Sequence, residues 1–163
     1  MTCSRPNPVR RRATTALGIA AALSLASGCR PARDERPLSI VVSGDLSGWL
    51  VPCGCASSQS GGLPRRASYV AAARAESDVV LADVGGGPGG TSLYDRLRFE
   101  AALSGAVAMG LVAHNLGGPE LALGPEHVDR LAERTGVVWL STNARRRDGR
   151  PLGRSWVECA AGQ

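Results

Sequence analysis

The chain contains no lysine, and aromatic residues make up only 4% of its 163 positions. All 19 basic residues are arginine, a bias that reads as genome composition rather than mechanism. With few rings to stack on bases, no nucleic-acid partner is expected. No apolar run reaches the roughly 20 residues that a mature membrane-spanning helix needs. A hydrophobic fraction of 44% nevertheless suits a globular domain, and the length suits a single one.

The first segment stands apart from that domain. Arg10, Arg11 and Arg12 form a positive start, residues 16–25 a short apolar core, and Leu25-Ala26-Ser27-Gly28-Cys29 a small-residue cleavage site ending in cysteine. This resembles a bacterial lipoprotein signal peptide over residues 1–28. Cys29 is then the lipidated first residue and residues 29–37 a charged, proline-containing tether. The reading implies a membrane partner through the lipid anchor and a place in the bacterial cell envelope, facing the periplasm or exterior. The plainer alternative is an ordinary cleaved signal in which Cys29 is incidental. Either way the charge balance changes. Removing the four leader arginines leaves 15 against 14 acids, a net charge of +1. The basic pI thus belongs mostly to the leader.

From Leu38 onward, strand and helix patterns alternate. Residues 39–42 are a short β-branched run, and 63–76 form an alanine-rich helix opened by Pro64. Residues 79–82 read as a second strand closed by Asp83 and a glycine-rich loop. Residues 92–109 read as a helix capped by Ser92, with Tyr94, Leu97, Ala101 and Val107 on its apolar face. A third strand at 111–113, a helix at 126–134 and a fourth strand at 137–140 complete the series. Such alternation predicts an α/β fold with a mainly parallel sheet and right-handed crossovers. The domain is assigned to residues 38–143, with 144–163 a basic tail or the start of a continuation.

Residues 43–66, SGDLSGWLVPCGCASSQSGGLPRR, carry the most information. An apolar strand ends at Gly44-Asp45, passes through Cys53-Gly54-Cys55, and reaches Gly61-Gly62-Leu63-Pro64-Arg65-Arg66 at a helix start. Asp45 falls at the carboxyl end of a strand, where open α/β sheets collect ligands, and is the first candidate metal-binding residue.

The order of the loops resembles the N-terminal half of the α/β sandwich in the 5'-nucleotidase branch of the calcineurin-like metallophosphoesterases. That family carries Asp-x-His, Gly-Asp, and Gly-Asn-His-Glu after its first three strands. Here the matching stretches are Gly44-Asp45-Leu46-Ser47, Asp83-Val84-Gly85-Gly86 and Gly117-Gly118-Pro119-Glu120, while Gly61 to Arg66 matches a Gly-Gly-Leu-x-Arg segment and Asn143 an asparagine after the fourth strand. The resemblance implies a divalent metal cofactor and phosphoric ester hydrolysis, yet only Asp45 and Glu120 remain as metal candidates. Ser47 replaces the histidine, Gly86 the bridging aspartate, and Gly118-Pro119 the Asn-His pair. Glycine and proline offer no side-chain ligand or transition-state donor. Glu120 reads equally as a capping carboxylate, Asp83 as a turn residue, and His114 and His127 as structural or surface residues.

Three readings follow. The leading one is a degenerate or truncated relative whose exposed sheet face needs a protein partner or a missing C-terminal half. The second is a fragment of an active phosphoesterase. The third rests on Cys53 and Cys55, which as neighbouring thiols can bind a soft metal or exchange disulfides, with Cys159 as a disulfide partner for one of them. Some exported relatives carry Pro-Cys-Gly-Cys at this loop together with altered ligands.

Overall fold

The computed structural model describes residues 36–52 and 61–159. Cys29, Cys53 and Cys55 lie outside the described residues, as do the leader and most of the tether. Four parallel strands, β1 (Leu38–Ser43), β2 (Asp78–Asp83), β3 (Leu111–Asn115) and β4 (Trp139–Leu140), stand in the order β1-β2-β3-β4. Between them run α1 (Leu63–Glu76), α2 (Leu93–Ala108), the single turn α3 (Gly118–Leu121) and α4 (Pro125–Thr135). The α/β class and the parallel alternation match the expectation from sequence.

Sequential order with crossovers of one hand puts every helix on the same side of the sheet. Burial follows that geometry. On β2 the alternate residues Val79, Leu81 and Asp83 are buried toward the helices, while on β1 Leu38, Ile40 and Val42 are 54%, 67% and 60% exposed on the opposite face. Val70 of α1 packs with Val79 and Leu81 in one cluster. A larger cluster joins Phe99, Ala102 and Leu103 of α2 to Val128 and Leu131 of α4 and to Trp139.

The packed stripe of α2 differs from the one expected. Tyr94 and Leu97 are 66% and 54% exposed, Ala101 is also exposed, and Phe99, Ala102, Leu103 and Ala106 face the core. The single phenylalanine of the chain sets the rotation of the helix, because its ring fills the space beneath His114 and Trp139. The Ser92 cap is as predicted, its hydroxyl accepting from Asp95 N at 3.2 Å.

Two further differences concern the later strands. β3 runs on to Asn115, and β4 is confined to Trp139–Leu140. The residues expected to form a basic tail fold back along β4: Arg154 N donates to Trp139 O at 2.9 Å, and Ser141 N donates to Arg154 O at 2.8 Å. Arg146 closes the turn onto α4 through Asp129 at 2.7 Å.

Candidate functional site

The loops leaving β1, β2 and β3 meet at the carboxyl edge of the sheet. The first two are zipped together by backbone. Asp45 N donates to Gly85 O, Ser47 N to Gly86 O and Gly48 N to Gly87 O, at 2.8, 2.9 and 2.8 Å. Asp45 and Ser47 take positive φ of 50° and 47°, uncommon for residues with a side chain. The close approach explains one glycine directly. A Cβ on Gly86, whose φ is 79°, would stand 3.0 Å from the Asp45 Cα and 3.4 Å from its Oδ1.

Asp45 is exposed, and its Oδ1 accepts from the Ser47 hydroxyl at 2.9 Å. The other carboxylates of the region turn inward. Asp83 accepts from Ser43 Oγ at 2.7 Å, Arg66 Nη1 at 3.2 Å and Gly85 N at 2.9 Å. Glu120 is fully buried and accepts from Gly87 N at 2.7 Å and Gly117 N at 3.0 Å, with His114 Nε2 3.0 Å from its Oε1. The other His114 ring nitrogen lies 3.5 Å from Asp83 Oδ1. Arg66, Asp83, His114 and Glu120 thus form a buried row that ties α1, β2, β3 and α3 together.

Burial alone would raise the Glu120 carboxyl, but the hydrogen bonds from His114 and Gly87 outweigh it and hold the group below the usual glutamate range. Its oxygens act as a clamp on the glycine loop and a cap on α3. Asp83 is likewise tied to internal donors on three sides, which is more than a turn residue at a strand end. The capping role of Glu120 and the structural role of His114 match readings made from the sequence, whereas their assembly into one row with Asp83 does not show there. Arg66 joins the row from the Gly-Gly-Leu-Pro-Arg-Arg segment.

That segment now has a physical account. Gly62 has φ 82°, and a Cβ there would be 2.8 Å from Pro52 N, so backbone packs on backbone. Leu63 N donates to Leu50 O at 2.9 Å, Leu63 packs against the larger cluster, and one helical turn later Arg66 reaches Asp83. Arg98 of α2 secures the same loop from outside. Its guanidinium lies 5.9 Å from the Trp49 ring and 5.1 Å from the Tyr94 ring.

A two-metal hydrolytic centre needs several carboxylate, imidazole or amide donors converging on one place. Among the described residues no three His, Cys, Asp or Glu side chains are arranged to hold an ion. Asp45 faces a hydroxyl and a glycine, and both Glu120 oxygens serve protein donors. Asn143 is exposed, its Oδ1 accepting from Ser141 Oγ at 3.1 Å. This donor set does not fit a dinuclear cation centre. Cys159 is exposed and has no disulfide partner among the described residues.

His127 differs from a simple surface residue. It is half-buried in the first turn of α4, its Nδ1 lies 3.4 Å from Arg130 Nη2, and its Nε2 is buried without a partner among the described residues. Burial first, and then the charges of Arg96 and Arg130, push its pKa below the ordinary histidine value.

The architecture is an α/β domain built on a four-stranded parallel sheet. Comparison of folds finds the 5'-nucleotidase precursor from Thermus thermophilus, with a TM-score of 0.64 and 22% identity over 77% of this chain. The chain spans 26% of the length of that protein. No protein-family model matches the sequence, and no curated protein matches it either.

Proposed function

We propose that this chain is an exported, lipid-anchored domain with a 5'-nucleotidase-like fold that serves binding or scaffold work at the cell envelope in place of metal-dependent ester hydrolysis. The observation that carries the reading is how the acidic side chains at the strand ends are used. Asp83 and Glu120 are committed to internal donors, and among the described residues Asp45 belongs to no group of three His, Cys, Asp or Glu side chains that could hold an ion. Hydrolysis of a phosphoric ester by the two-metal route needs both cations held and a water activated between them. One exposed aspartate does not supply that.

Anchoring rests on the arginine-rich start and the Leu25 to Cys29 segment. Globomycin treatment of expressing bacteria, followed by palmitate labelling, tests it. Acyl label that disappears in Cys29→Ala supports the anchor, and an unlabelled secreted product refutes it.

The catalytic half of the proposal is tested with the full chain, manganese and a panel of 5'-nucleotides. The expected result is no phosphate release above the buffer blank. Release that is lost in Asp45→Ala would overturn it. A second reading, a fragment of an active phosphoesterase, is favoured by the 26% coverage of the Thermus protein. In that case a longer product of the same reading frame would restore release where this chain shows none.

A further inference from the structure

Among the described residues β1 is an edge strand, and its hydrogen-bonding pattern says which of its groups have no partner there. Pro37 O accepts from Asp78 N at 2.9 Å and Ser43 O from Val84 N at 2.8 Å, so the odd-numbered carbonyls face β2. In a parallel pair alternate residues bond to the same neighbour. The backbone N–H and C=O groups of Leu38, Ile40 and Val42 therefore point away from the sheet. Their side chains are the exposed ones. Nothing within Leu38–Ser43 blunts this edge: the sequence LSIVVS has no proline, no glycine and no charge.

A groove of about 890 Å³ runs along this edge. Its floor is β1 from Ile40 onward, and its far wall is Arg65, Arg66 and Tyr69 of α1. Arg66 is spent on Asp83, whereas Arg65 is exposed and enters none of the ion pairs among the described residues. Asp45, at one end, is the groove's carboxylate. The groove thus combines free backbone groups, an apolar strip on the bare side and an available guanidinium on the helix side.

We propose that β1 accepts an added β-strand from another polypeptide, one with apolar residues on one face and acidic residues on the other. Main-chain hydrogen bonds to Ile40 and Val42 supply affinity, and alternation supplies selectivity. The apolar face continues the strip of Leu38, Ile40 and Val42, and the acidic face meets Arg65. A second copy of this chain is a poorer fit. On the helix side its own β1 would bring Ser39, Val41 and Ser43, with no carboxylate for Arg65. This inference is independent of whether the site hydrolyses esters.

The test is amide hydrogen exchange on the full chain with a capped peptide of alternating valine and glutamate. The glutamate peptide is expected to slow exchange at Ile40 and Val42 by about tenfold, while the matching valine-lysine peptide leaves it unchanged. Ile40→Pro removes an outward donor, a change an edge strand tolerates, so it abolishes this protection while β2 amides keep theirs. Arg65→Glu reverses the preference between the two peptides. Three results overturn the proposal: equal effects of both peptides; protection that rises with protein concentration in the absence of peptide, which marks a second copy; or Ile40 and Val42 already protected in the free chain at every concentration, which marks a segment of its own.

Discussion

At the scale of single residues, the decisive groups are the carboxylates committed to internal donors. Glu120→Ala leaves Gly87 N, Gly117 N and His114 without their acceptor inside the fold. The expected cost is about 3 kcal/mol, read from urea unfolding. Gly87→Ala tests the same loop from its other side. A Cβ there would run into the Phe99 ring, and that ring is buried against His114 and Trp139, so a loss of about 2 kcal/mol is expected.

Acidification should act through two of these residues with one sign. His127 is harder to protonate in the fold than in the open chain, so its contribution is complete above about pH 6.5 and declines as pH falls below that. Glu120 is held below its ordinary value, so its contribution is complete above about pH 4.3 and is lost as pH falls through the lower folded value. Urea midpoints measured across pH should therefore fall in two windows. His127→Gln flattens the upper one and Glu120→Gln the lower one.

At the scale of elements, the strands and helices were legible because apolar runs alternate with capped, alanine-rich stretches. What escaped the sequence was rotation and register. A register shift between Leu81 and Ala82 pairs Ala82 with Ala113 and Asp83 with His114. Without that shift His114 would point to the bare side of the sheet. No local pattern announces it, since Leu111, Val112 and Ala113 suit either face. For α2 the reading favoured Tyr94 and Leu97, because hydrophobic type was visible and the position of Phe99 over the sheet was not. The candidate site was legible as loops in order, with Asp45 in the loop that leaves the carboxyl end of β1. The buried row from Arg66 to Glu120 needed three dimensions, because its members are spread over more than fifty positions of chain. Its reach is checked by Arg66→Ala, expected to cost about 2 kcal/mol and to speed exchange at the Gly85 amide, whose acceptor Asp83 loses its cation.

At the scale of the whole molecule, helices on one side of the four-stranded sheet leave its other side apolar and open among the described residues, an arrangement that calls for a covering surface. Ile40→Thr should leave the stability read from urea unfolding within about 0.5 kcal/mol of the parent, since the side chain contributes little to the core it faces away from. We propose that the nucleotidase-like architecture persists here without a two-cation centre. Manganese binding to the full chain, followed by electron paramagnetic resonance of the free ion, tests this most directly. The expected result is no saturable pair of sites at micromolar manganese and the same titration for Asp45→Ala. Two ions bound per chain, both released by that substitution, would contradict it.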